Sequence, residues 1–217
     1  MTAMLAAKGI VLSPLTVHKY MNTELGLRSV TRKRKQRCSK GGEPHKVFEN
    51  LLYQDFSAES RNQKWCTDFT YLFLDNGAKR YNCSIIDLYD RRVVASVNGR
   101  RINSELAKAA LTYAMDASGR PQGVILHSDQ GSQFTSKDFI EFCEKNNVIQ
   151  SMSKAGCPYD NSPMERYFNT LKAEEVNLHR YHTDEELNSR ITAFAFGWYN
   201  NLRPHSYNNN LPPCKVR

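Results

Sequence analysis

Trp65-Cys66-Thr67-Asp68-Phe69-Thr70-Tyr71-Leu72-Phe73-Leu74 is dense in aromatic and β-prone residues and reads as a strand with one carboxylate near its middle. A carboxylate on the buried side of a strand is costly unless it is paired or holds a metal. Asp68 therefore marks a candidate site as well as an element. Asp75-Asn76-Gly77 supplies a turn, and Arg80 to Tyr89 a second strand. Asp90-Arg91-Arg92 then turns into a third, Val93 to Val97. The three form an antiparallel meander.

Downstream the period changes. Asn103 or Ser104 caps a helix whose apolar face is read as Leu106, Ala109, Ala110 and Tyr113, with Gly119-Arg120-Pro121 closing it. A buried strand, Gly123 to His127, precedes a helix from Ser136 to about Asn146 that packs through Phe139, Ile140, Phe142 and Cys143. Val148 to Met152 is a short last strand. A helix then runs from Pro163 to about Glu175, and another opens at the capping box Thr183-Asp184-Glu185-Glu186 and runs to about Asn201. This order predicts an α/β fold, a mixed five-stranded sheet flanked by helices. It is similar to the ribonuclease H-like fold, an analogy at the level of fold.

The 217 residues suffice for one ordinary domain and a smaller part; 40% hydrophobic and 24% charged is a globular composition. No apolar run approaches the roughly 20 residues of a membrane span, and Lys8-Gly9 interrupts the apolar start before a signal-peptide core forms. A cytoplasmic protein with no membrane partner is expected. The six cysteines are scattered without a C-x-x-C and read as reduced thiols.

Charge is uneven. Met1 to Lys64 holds 12 Lys/Arg against 5 Asp/Glu, and the remainder 18 against 17. The block between Arg28 and Lys46, with Arg32-Lys33-Arg34-Lys35 at its centre, reads as a phosphate-contacting arm or a solvated tether. Before it, Ser13 can cap a helix with Pro14 in its first turn, and Gly26 can end it. A preceding helix-forming stretch gives this the shape of a partial helix-turn-helix, whose second helix would offer Thr16, His18 and Lys19 to DNA, or equally of a plain helical hairpin. Three parts result: residues 1–27, this partial motif; residues 28–60, basic linker and arm, of which Val47 to Ser60 has no assignment; and residues 61–217, the core.

Two further carboxylates can join Asp68. Asp129 ends the fourth strand in His127-Ser128-Asp129-Gln130-Gly131-Ser132-Gln133-Phe134, and Glu165 lies in the first turn of the helix from Pro163. The 35 residues between them are enough for a helix, a strand and a loop. Three hard oxygen donors without a cysteine or histidine pair suit Mg²⁺ or Mn²⁺.

Trp65-x-x-Asp68-x-Thr70-Tyr71, the His127–Phe134 stretch, and Pro158-Tyr159-Asp160-Asn161-Ser162-Pro163-Met164-Glu165-Arg166-Tyr167-Phe168-Asn169-Thr170-Leu171-Lys172 closely resemble the integrase core of IS3-family insertion-sequence transposases. The 35-residue gap matches the D,D(35)E pattern of that core, and Trp198-Tyr199-Asn200-x-x-Arg203-Pro204-His205 resembles its C-terminal signature. The resemblance implies metal-dependent cleavage and strand transfer at insertion-sequence ends, with Asp68, Asp129 and Glu165 as catalytic metal ligands for two ions. It implies DNA partners (inverted-repeat ends and target), a homo-oligomer on DNA, and an upstream-frame product or fusion that supplies end recognition. The alternatives are a nuclease on RNA–DNA hybrids and a DNA-binding regulator that does not cut.

Asn169 and Lys172 follow Glu165 by one and two helical turns and are expected to face DNA. Met164, Phe168 and Leu171 are expected to face the core, with Tyr167 on either side. Trp198 is expected in the core, Arg203-Pro204-His205 in a structural turn, and His127 as an anchor of its strand end.

Overall fold

Residues 1–27 and 46–216 are described by a computed structural model. The basic arm with Arg32, Lys33, Arg34 and Lys35 lies outside the described residues, as does Cys38.

Strands β1 (Lys64–Phe73), β2 (Lys79–Asp87) and β3 (Val93–Gly99) form the expected antiparallel meander. Strands β4 (Ile125–Ser128) and β5 (Ile149–Met152) add in parallel on the far side of β1, giving the order β3-β2-β1-β4-β5. The sheet is five-stranded and mixed, as the element order predicts.

Alternation along the strands divides the core. Trp65, Cys83 and Ile85 face one layer, packed with Leu111 and Met115 of α3 (Ser104–Ala117), Phe134 of α4 (Ser132–Thr135) and Phe139 of α5 (Lys137–Lys145). Cys66, Leu72 and Ile86 face the other, packed with Met164, Tyr167 and Leu171 of α6 (Ser162–Leu171) and Leu187 and Ile191 of α7 (Asp184–Thr192). Asn103, Ser136 and Thr183 cap α3, α5 and α7 through side-chain oxygens that accept from the third residue on.

Three expectations about helices need correction. The buried face of α3 is Leu106, Ala107, Ala110, Leu111, Ala114 and Met115, whereas Ala109 and Tyr113 are exposed. Alanines populate both sides of this helix, so apolarity alone does not choose its face, and Tyr113 instead packs its ring against Phe196. Helix α6 stops at Leu171 and continues as a π-helical turn, Lys172–Val176; α7 likewise passes into Ala193–Tyr199. At the capping box, Glu186 accepts from the backbone N–H of His182, one residue before the cap.

The C-terminal signature is structural. Arg203 grips Glu174 with two nitrogens at 2.8 and 2.9 Å, and half-buried Trp198 donates its indole N–H to Glu174 at 3.1 Å. His205 is buried edge-on against Tyr199, ring centroids 4.4 Å apart. Burial, assisted by Arg203, pushes its imidazole down to about 4. An imidazole depressed in the folded state takes up its proton first when unfolded, so stability falls as pH drops from about 6.5 toward 4. His205→Phe should flatten that slope by up to about 1.4 kcal/mol per pH unit, read from denaturant midpoints across the window.

At the N-terminus, α1 (Thr2–Ala6) and α2 (Pro14–Lys19) form the expected helix pair, with Ser13 capping α2 by accepting from Thr16 N–H at 3.0 Å. A π-helical turn, Tyr20–Glu24, extends α2, and Gly26 ends it with φ +61°. Among the described residues no helix is long and apolar enough to cross a membrane.

Candidate active site

The parallel pairing of β1 and β4 sets Cys66 opposite His127. The same offset puts Asp68 level with Asp129, one residue past the end of β4. Side chains alternate along a strand, so Asp68 shares the face of Cys66, which is the α6 side. Pairing of β1 with β4 stops at Cys66, and the sheet forks there.

The start of α6 is fastened into that fork. Buried Asn161 donates its amide to the Thr67 carbonyl at 3.1 Å, on the residue before Asp68. Asp160 accepts from Asn50 at 3.0 Å, Gln54 at 2.8 Å and the Lys154 backbone N–H at 3.0 Å. Four residues after Asn161, one helical turn on, comes Glu165, half-buried. At the end of β4, Asp129 accepts from Gly131 N–H at 2.9 Å, and Ser153 N–H bonds Ser128 O at 2.9 Å.

These placements bring charges together. Burial, and then the neighbouring Asp129 and Glu165 carboxylates, push half-buried Asp68 up to about 8. The Phe69 N–H bonded to it at 2.7 Å and the Lys172 ammonium oppose that rise. Asp129 stands solvent-reachable in a crowded rim; desolvation raises its carboxyl against the pull of the Gly131 N–H. Asp68, Asp129, Glu165 and Lys172 thus lie within electrostatic reach of one site. Asn169 is exposed one turn beyond Glu165, and Lys172 opens the π-helical turn.

With side chains as they stand, no three His, Cys, Asp or Glu residues among the described residues form a ready metal cage. One oxygen each of Asp68 and Asp129 is engaged by a backbone N–H. The donors still fit a divalent cation in kind and charge. All three are hard oxygens, and crowding leaves Asp68 holding a proton where a cation would relieve the same repulsion. The carboxylates need to turn toward one another to close on an ion.

His127 is fully buried, its Nδ1 2.8 Å from the Ser151 hydroxyl on β5. It serves as the expected strand anchor. Asn50, Gln54 and Asp160 were not legible as site residues. Asp160 lies inside a quoted motif without a readable role, and the residues that bind it come from the unassigned stretch 47–60.

The chain is similar to known proteins in sequence and in fold. Residues 58–158 match the integrase core domain model, and residues 146–213 match a second model of the same description. The chain is 38% identical over 167 residues, 77% of its length, to the transposase InsF for insertion sequence IS3A of Escherichia coli (strain K12). It is 33% identical over 213 residues, 98% of this chain and 78% of that protein, to the insertion element IS600 uncharacterized 31 kDa protein of Shigella sonnei. The chain belongs to the IS3-family transposases. As an IS3-family chain it spans 58% of the length of the InsF relatives it matches. Solved structures share the fold of this IS3-family core at low identity. The simian T-cell lymphotropic virus intasome superposes with a TM-score of 0.58 at 19% identity, over 100% of this chain and 74% of that one. The HTLV-2 integrase catalytic core domain in complex with magnesium gives 0.57 at 18%, over 73% and 98%. The Mos1 mariner transposase catalytic domain gives 0.53 at 16%, over 63% and 71%.

Proposed function

We propose that this chain is the catalytic core of an IS3-family transposase, cutting and joining DNA at insertion-sequence ends with Asp68, Asp129 and Glu165 as its catalytic metal ligands. The observation that carries the reading is the register: Asp68 comes level with Asp129 at the fork where α6 brings in Glu165. The HTLV-2 integrase core, a protein of the same fold, was solved with magnesium, which favours Mg²⁺ or Mn²⁺ as the metal.

The three carboxylates, Asp68, Asp129 and Glu165, would hold such ions, two by the family's pattern. When bound, the metal supplies Lewis-acid polarisation of the scissile phosphate and an activated water or 3′-hydroxyl. Around that chemistry the protein binds and orients. Lys172 meets a phosphate near the scissile bond, and Asn169 faces the DNA one turn away. The arm with Arg32, Lys33, Arg34 and Lys35 adds sequence-independent contacts to phosphates, which weaken as salt rises. The inverted-repeat ends and the target DNA are the substrates, held by a homo-oligomer. An upstream-frame product or fusion supplies end recognition, in a cytoplasmic complex on the nucleoid.

Asp129→Asn tests the assignment. With Mg²⁺ and DNA carrying the element's ends, the purified variant, alone or fused to its upstream frame, should lose strand transfer and keep DNA binding. Joining at the wild-type rate by Asp129→Asn rejects the triad. A wild type that binds ends without cutting them points to a regulator instead.

A further inference from the structure

The stretch between the basic arm and β1 has no helix or strand of its own, yet it is packed. Glu49 O accepts from Met152 N–H at 3.2 Å, and Leu51 N–H donates to the Ser151 hydroxyl at 2.9 Å. That hydroxyl also meets His127, two residues before Asp129. Asn50 is buried and splits its amide: the oxygen accepts from Leu52 and Tyr53 N–H, both at 3.0 Å, while the nitrogen reaches Asp160. Gln54 takes the other Asp160 oxygen. Tyr53 and Gln54 are held at φ 47° and 65°, a left-handed conformation that side-chain-bearing residues adopt at a cost. Two such residues in succession, the second bonded to a carboxylate buried to 3% exposure and the first tied to Asn50, form a clasp that the surrounding contacts over-determine.

We infer that Asn50 and Gln54 are positioning residues of the active site: by holding Asp160 they fix the first turn of α6 and so place Glu165 against Asp68. The inference rests on the functional reading above for its consequence, and on the hydrogen bonds for its mechanics. Asp160 precedes Asn161, whose amide bonds the Thr67 carbonyl, so release of Asp160 loosens the fastening next to Asp68. The same stretch touches β5 at Ser151 and, through it, His127 on the strand that leads to Asp129. One segment therefore braces the elements that carry two of the three carboxylates.

Gln54→Gly separates positioning from general support. Glycine relieves the left-handed backbone and offsets most of the lost hydrogen bond, so the melting temperature should shift little. The amide to Asp160 is lost, so amide exchange in residues 162–166 should quicken and turnover should fall about 10–100-fold. KM for DNA should hold, and Gln54→Lys, which restores a donor, should recover most of the loss. Mn²⁺ affinity of the free protein, read by electron paramagnetic resonance, should fall in Gln54→Gly alongside turnover. Unchanged exchange in residues 162–166 overturns the clasp whatever the activity. If wild type shows no strand transfer but exchange quickens in Gln54→Gly, the functional reading fails and the clasp stands.

Discussion

Asp68→Asn should abolish metal-dependent strand transfer and at the same time make the metal-free protein more stable. The loss follows from the proposed role as metal ligand. A catalytic metal contributes several kcal/mol of transition-state stabilisation, and about 4 kcal/mol corresponds to roughly a thousand-fold in rate. The gain follows from the present surroundings of the side chain. Burial, Asp129 and Glu165 all disfavour its charge and push its carboxyl up to about 8. For an acid raised in the folded state, the stability contribution is complete below the unfolded value of about 4 and is lost as pH climbs through the folded one. The neutral amide avoids that loss, so the melting temperature of the variant should exceed that of wild type at pH 8 and above. The difference should shrink as pH falls, because wild-type Asp68 then becomes neutral too. Mg²⁺ should raise the wild-type melting temperature and leave the variant's much less changed. A variant less stable than wild type at pH 9 without metal would contradict the electrostatic account.

Trp65→Ala should cost about 3–5 kcal/mol, enough to leave little of a domain stability of about 5–15 kcal/mol. Trp65 is fully buried, the largest side chain of the core layer between the sheet and α3 and α5. Truncation removes its transfer free energy and leaves a cavity that the paired β1 backbone prevents from collapsing. Trp65→Phe keeps most of the volume and should cost less than half as much. Tyr113→Ala, on the exposed side of α3, should cost under about 1 kcal/mol. Guanidinium midpoints at constant m-value decide these outcomes.

The strands were legible because each is a run of β-prone residues bounded by a turn, as Asp75-Asn76-Gly77 separates β1 from β2. Asp68, Asp129 and Glu165 stood out because each punctuates an apolar element, and the register does bring the first two level. The exposed side of α3 was misread because Ala109 and Tyr113 are apolar without being buried. The π-helical ends of α6 and α7 break the 3.6-residue period on which a helical reading depends. Residues 47–60 stayed dark for a different reason. Asn50 and Gln54 meet Asp160 more than a hundred positions away, and a polar side chain gives no sign of so distant a partner.

The fork beside Asp68 also sets a timetable. The β1–β3 meander is local in sequence and can close on itself, whereas the parallel strand β4 must wait for α3 to be made and folded back. Glu165 comes later still, with α6. On the ribosome, domains form from the N-terminal side as synthesis proceeds. A chain interrupted before α6 therefore carries two carboxylates and not the third, and so stays unarmed. On the proposed reading, the order of synthesis thus delays the complete set of metal ligands until α6 has been made.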